Sequence, residues 1–262
     1  MSRPVITLTT DFGLADAYVA AMRGVILSIC PQAQVVDISH NVQPQAVQQA
    51  AYLLSTAAPY FPPGTVHVAV VDPGVGTQRR AVAVHCGRAL YVAPDNGLLS
   101  LALEQDPPRE AVQLLESRFH LPEVSTTFHG RDIFAPAGAH LACGADLQEM
   151  GPQIAVEELY RLPPLRPERD EEDRWQAQVL HVDHFGNLIT NLRVSQAPPS
   201  PIFTAGETRI EGLSRTFADV APGEMVAYAG SGGYVEIAVR QGSAAGQLGL
   251  AAGDPVVVEE GA

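Results

Sequence analysis

Positive charge, sulfur and unbroken apolar sequence are all scarce in this chain, and each shortage removes a class of function. The 262 residues carry 16 Lys and Arg against 29 Asp and Glu, a net charge of −13. A nucleic-acid backbone is met by clustered Lys and Arg, so nucleic acid is not an expected partner. Net charge otherwise bears mainly on solubility. Every apolar run is broken by Pro, Gly or a polar residue well short of the roughly 20 residues of a membrane span, so no membrane partner is expected either. The chain runs almost at once into a strand, VITLTT, so a signal peptide is not expected. Only three cysteines occur, Cys30, Cys86 and Cys143. Odd in number and far apart, they read as ordinary buried thiols rather than a disulfide framework, and a cytoplasmic location follows.

Hydrophobic residues make up 46% of the chain and the mean hydropathy is near zero, as in a soluble globular protein. The length suits one large domain or two modest ones. Strand-like and helix-like runs alternate through residues 1–160: strands at 5–10, 35–38, 66–71, 81–84 and 90–92, helices at 15–29, 45–57, 96–104 and 133–141. This alternation predicts an α/β domain with a mostly parallel sheet flanked by helices. Residues 161–175, RLPPLRPERDEEDRW, have the composition of a linker. From 176 to 262, short alternating strands between Gly-rich turns predict a small antiparallel β-barrel domain.

The stretch VHVAVVDPGVGTQRR (66–80) is the most informative. Its apolar, β-branched opening reads as a strand covered on both faces, and Pro73, Gly74 and Gly76 then force a loop. Asp72 falls at the strand's carboxyl end, where ligands bind in open α/β sheets, and Arg79 follows seven residues later. Asp11 in TTDFG occupies the same edge, where a carboxylate commonly accepts ribose hydroxyls; the plainer reading is a helix cap. APDNGLL (93–99) is most simply a turn that starts a helix. TFHGRDIFAPA (127–137) sets His129 on a polar loop before an apolar helix, an acid/base candidate. In HVDHFGNLITN (181–191), His181 and Asp183 share a strand face while His184 points away. No third ligand follows at metal spacing, so a metal is not expected here. GSGGYVEI (230–237) lacks P-loop spacing and lysine; its amides could hold an anion or simply form a hairpin.

TTDFG, VVDPGVGTQRR, APDNGLL, FHGRD, DHFGNLITN and GSGGYVEIA stand in an order that resembles the S-adenosyl-L-methionine (SAM) hydrolases, adenosine-forming SAM hydroxide adenosyltransferases related to the SAM-dependent fluorinase and chlorinase. The resemblance runs from residue 5 to about 245. It implies an N-terminal α/β domain, a C-terminal β-barrel and a homotrimer holding SAM between subunits. The implied reaction is water plus SAM giving adenosine and methionine, with SAM as substrate, no cofactor and no metal. Carried over by position, Asp72, Arg79 and His129 match the water-activating triad, and Asp11 the carboxylate holding the ribose hydroxyls. Asp16 and Asp183 match the acids near the methionine ammonium, Asn187 the adenine-reading asparagine with Phe185 beside the base, and Ser231 the serine near the methionine carboxylate. The halogenases have an arginine after that serine where this chain has Gly232, which leaves Arg240 or backbone amides to supply the positive charge.

Halogenases also carry a tyrosine where Asp72 stands and an insertion after the strand matching 81–84. A carboxylate would repel a halide, so the hydrolase is expected over a halogenase or a non-catalytic SAM-binding protein. Making hydroxide outright means moving the pKa of water from about 15.7 to about 7, roughly 12 kcal/mol. One arginine about 4 Å away supplies only about 4 kcal/mol at an effective dielectric of about 20. A general base is therefore expected to take the proton during attack on C5′, with Arg79 orienting the water. Asp72 and His129 are both candidates for that base.

Overall fold

The computed structural model describes residues 3–163 and 166–261. The chain divides into two compact units, Met1–Pro163 and Pro164–Ala262. In the first, the elements are β1 (Val5–Thr10), α1 (Tyr18–Ile29), β2 (Gln34–Ser39), α2 (Val47–Ala57), β3 (Val66–Val70), β4 (Ala81–Cys86), β5 (Leu90–Pro94), α3 (Ser100–Gln105), β6 (Pro108–Gln113), α4 (Ala135–Ala142) and β7 (Gln153–Ile154). They form one seven-stranded sheet in the order β2-β1-β3-β5-β4-β6-β7. The pairings among β2, β1, β3 and β5 are parallel, and those of β4, β6 and β7 are antiparallel. The parallel half carries β1 and β3 side by side, so Asp11 and Asp72 leave the sheet at the same edge.

β3 shows why the sheet needs helices on both faces. Val66, Val68 and Val70 join a core with Met22 and Ile26 of α1 and Phe134. Ala69 and Val71 point the other way, into a core with Ala50 and Leu54 of α2 and Leu98. Alternate side chains of a strand face opposite sides, so a strand apolar at every position is buried twice. Gly138 of α4 marks how closely that helix sits: a Cβ there would lie 2.5 Å from Val68 Cγ2.

Two of the three cysteines are not the free thiols expected. Cys30 and Cys143 form a disulfide, their Cα atoms 5.9 Å apart across 113 residues of sequence. They stand just past the carboxyl ends of α1 and α4, two helices packed side by side, an adjacency that is tertiary and leaves no mark in spacing. Cys86 is the buried free thiol, pushed up to about 12 chiefly by burial.

In the second unit the elements are β8 (Glu168–Arg169), β9 (Trp175–Val182), β10 (Leu188–Arg193), β11 (Pro201–Ala205), β12 (Thr208–Glu211), β13 (Met225–Ala229), β14 (Tyr234–Val239), α5 (Ala244–Leu248) and β15 (Pro255–Glu260). The sheet runs β12-β11-β15-β9-β10-β14-β13, antiparallel throughout, with β8 on β9. Its two end strands touch, giving a barrel-like wrap around Val179, Leu188, Phe203, Ile237 and Val258. Of the linker stretch, Pro164 and Leu165 lie outside the described residues, while Glu168 and Arg169 pair with Gln176 and Trp175. Asp170 pins that turn by accepting from the backbone N–H groups of Glu172 and Arg174, both at 3.0 Å.

Candidate active site

The DPGVGTQ loop after β3 consists of two successive turns, closed by Val75 N–H donating to Asp72 O at 3.2 Å and Thr77 N–H to Gly74 O at 3.1 Å. Gly76 has φ +77, and a Cβ there would meet the Thr126 carbonyl oxygen at 2.7 Å. Only glycine suits both the left-handed backbone and the close approach of the His129 loop. The turns return Arg79 to Asp72, where its Nε donates to both carboxylate oxygens at 2.9 Å and its Nη2 adds a further bond to Oδ2. The pair is largely buried, with side chains 6% and 11% exposed.

His129 meets this pair through Nδ1, 2.8 Å from Arg79 Nη2. A guanidinium can only donate, so Nδ1 is the lone-pair nitrogen. The imidazole also hydrogen-bonds the Ser125 backbone, while burial and the Arg79 charge hold its pKa below 6.5; it is neutral at pH 7. Its loop is anchored by Asp132, whose buried carboxylate accepts from Ser125 N–H at 2.9 Å and Ser125 Oγ at 2.7 Å and pairs with Arg131. His129 itself caps a π-helical turn, Gly130–Phe134, that runs into α4.

Asp72, His129 and Asp11 line one cleft of about 400 Å³, with Phe12, Tyr18 and Gln45. Arg79 stands behind them, its guanidinium 5.1 Å from the centre of the Phe134 ring. Asp11 is held from the β2–α2 loop, where Gln45 N–H donates to its Oδ2 at 2.8 Å. Gln45 has φ +67, an uncommon backbone for a non-glycine residue. The preceding turn is braced by His40, which meets Thr10 Oγ1 at 2.8 Å through Nδ1 and accepts from Gly13 N–H at 2.8 Å through its carbonyl. Asp16 is exposed on the loop before α1. The APDNGLL turn does lead to α3 and also supports the site: Asn96 Nδ2 donates to Val71 O at 2.8 Å, beside Asp72.

In the second unit, Asp183 and Asn187 lock the β9–β10 loop. Asp183 Oδ1 accepts from Phe185 N–H at 2.9 Å and Asn187 N–H at 2.8 Å, and its Oδ2 accepts from Asn187 Nδ2 at 2.8 Å. Phe185 projects from this loop, 72% exposed. Ser231 is exposed on the β13–β14 turn. Arg240 does not belong with it. It lies past the far end of β14, a strand of six residues and so about 20 Å long, and donates to Val220 O at 2.6 Å. The cation beside the Ser231 turn is Arg193, which the sequence reading passed over, as it did Gln45. No cluster of three His, Cys, Asp or Glu suited to a metal occurs among the described residues, and no helix there is long and apolar enough to cross a membrane.

Comparison with known proteins matches residues 6–151 to the SAM hydroxide adenosyltransferase N-terminal domain and 177–257 to the corresponding C-terminal domain. The chain is 46% identical to an (R)-S-adenosyl-L-methionine hydrolase of Salinispora tropica, covering 98% of each chain. It is 48% identical to one of Thermus thermophilus, over 97% of this chain and 98% of that one. A fluorinase of Nocardia brasiliensis is 31% identical over 99% and 98%. An uncharacterized conserved protein of Thermotoga maritima has a crystal structure that superposes with a TM-score of 0.89 at 34% identity, over 97% of this chain and 99% of that one.

Proposed function

The chain belongs to the SAM hydroxide adenosyltransferase family, and from that premise we propose that it hydrolyses SAM to adenosine and L-methionine, taking the (R) sulfonium epimer named in its relatives. The observation that carries the reading is the cleft itself, which presents the Asp72 carboxylate beside a neutral His129.

The water oxygen attacks C5′ in line, the C5′–S bond breaks, and its electron pair leaves with sulfur as the neutral thioether of methionine. The water proton passes to Asp72 and later to solvent. Asp72 takes this part because a neutral imidazole has a single lone pair, and Arg79 engages it at His129 Nδ1, whereas a carboxylate has about four lone-pair positions and Arg79 donates to Asp72 only three times. Arg79 holds carboxylate and imidazole in register from behind, and its charge steadies the site as the proton moves. Asp11, fixed by Gln45 N–H, keeps Oδ1 for the ribose diol. Asn187 and Phe185 meet the adenine, Asp16 and Asp183 the ammonium, and Ser231 the carboxylate.

A halogenase reading is disfavoured by the same carboxylate, which repels a halide where attack begins. We further propose a homotrimer with sites between subunits; the cytoplasmic location expected from free thiols loses that ground once Cys30 and Cys143 are bonded. The exposure of Phe185, Leu14 (66%) and Tyr18 (49%) supports the assembly, since large apolar side chains beside candidate binding residues gain from a partner's cover. Incubating chelator-treated protein with each sulfonium epimer, with and without chloride, tests the reaction. Adenosine and methionine from the (R) epimer, independent of halide, is the expected result. A 5′-halogenated nucleoside, or SAM bound but unchanged, overturns it.

A further inference from the structure

On β10 and β14 of the second unit, an arginine that pairs with no carboxylate among the described residues lies opposite a tyrosine, with a glutamate two residues further along the same strand. Arg193 closes β10 opposite Tyr234, and its guanidinium lies over that ring, 3.9 Å from the centroid. Stacking of this kind holds a guanidinium in place while leaving its N–H edge available. Nη1 reaches the Gly232 carbonyl at 3.4 Å, and Val194 N–H donates to Gly233 O at 3.0 Å. Arg193 is thereby fastened to the turn that carries Ser231. Among the described residues it forms no ion pair with a carboxylate.

The negative side is built into the same strand. Glu236 is two residues from Tyr234 and shares its face of β14. It accepts a hydrogen bond from the Tyr228 hydroxyl, and it fills the space a Cβ on Gly230 would take. Burial and, to a lesser degree, the Asp183 charge push its carboxyl up. A guanidinium fastened to the turn that carries Ser231, with the Glu236 carboxylate packed at Gly230 of the same turn, matches a ligand bearing both an ammonium and a carboxylate, as an α-amino acid does.

We infer that Arg193 binds the carboxylate of the methionine moiety, beside Ser231, and is the residue that makes the enzyme prefer a substrate retaining that group. The inference rests on the hydrolase reading and extends it to a residue outside the segments that suggested that reading. A bidentate guanidinium–carboxylate contact gives geometric selectivity as well as affinity.

The test compares full-length wild type, R193Q, R193K and R240Q on SAM and on an analogue that keeps the sulfonium, nucleoside and amine but has hydrogen in place of the carboxylate. Loss of a charged hydrogen bond predicts a KM for SAM raised roughly ten- to hundredfold in R193Q, with kcat within a few-fold. The same variant should treat the analogue as wild type does. R193K should recover part of the loss, and R240Q should match wild type on both substrates. Equal loss on both substrates, or none on SAM, overturns the role of Arg193, as does failure of a well-folded R193K to recover any of it. Wild type that turns over neither compound overturns instead the hydrolase reading beneath it.

Discussion

Replacing Asp72 with asparagine removes a charge and a base while keeping size and one accepting oxygen. Two effects follow, and their sizes are separable. Removing a general base typically costs 10²- to 10⁴-fold in rate, which is about 3–5 kcal/mol of transition-state stabilisation. The second effect is on the fold, because Arg79 is only 11% exposed and loses the anion it donates to three times. Breaking a buried pair by removing one partner costs about 3–5 kcal/mol. The asparagine oxygen still accepts from Arg79, which places this case near the lower figure. At 2–4 °C per kcal/mol for a chain of this size, about 3 kcal/mol lowers Tm by about 6–12 °C. Turnover measured by chromatography of adenosine, at a temperature where the variant's own melting curve shows it folded, then reads the chemical effect, and calorimetric titration with SAM reads binding. The expectation is a hundredfold or greater loss of kcat with SAM affinity within about threefold. A D72N enzyme with near-normal kcat, or one losing affinity and turnover together, refutes the assignment of the base.

Gly76→Ala pushes a Cβ into the Thr126 carbonyl and should lower kcat by displacing the His129 loop. A mutant with wild-type kinetics shows that the loop tolerates the shift. His40 and His67 are buried, and each is held at about 4, chiefly by burial, against an ordinary 6.5. Their unfolded forms therefore bind protons that the folded forms refuse. Stability is full above pH 6.5 and falls as pH drops towards 4, by about 3 kcal/mol for each histidine. Urea midpoints at pH 7 and pH 4.5 measure this, and equal midpoints contradict it. Reducing the Cys30–Cys143 bond, whose Cys143 end is exposed, should cost about 2–4 kcal/mol. An unchanged melting temperature in dithiothreitol, with free thiols counted, speaks against that bond.

Much of the fold was legible because burial writes itself into local sequence. VHVAVV could only be a strand covered twice, and Asp72 at its end was a site residue before any likeness was considered. β6, PREAVQ, escaped because it lies towards an antiparallel edge, where charged residues are tolerated. β11 escaped because the prolines before Phe203 read as turn, yet Pro201 occupies a strand's first position, where it needs no ladder bond. At the site, Asp72 and Arg79 stood out as a charged pair before any likeness was considered, but only the two turns of the loop show how the arginine is brought back onto the carboxylate. Gln45 was invisible because it acts through its backbone, and a positive φ at glutamine has no compositional signal. Arg193 was missed because its neighbourhood exists only once β10 lies against β14, and Arg240 was misjudged because proximity in sequence concealed the length of the strand between.

The disulfide has a mechanical meaning besides its energy. Tyr18 opens α1 at one side of the cleft, and Gly130 opens the π-helical turn leading to α4 at another. Both segments run away from the cleft, α1 for twelve residues or about 18 Å, and are joined by Cys30 and Cys143 at the far end. The arrangement is that of tongs riveted at the handles, with an aromatic residue and the histidine loop as jaws. The jaws also meet, the Tyr18 ring lying edge-on 5.2 Å from that of Phe128 on the histidine loop, so the sulfur bond at the far end and the aromatic contact at the cleft tie the same two segments at both ends.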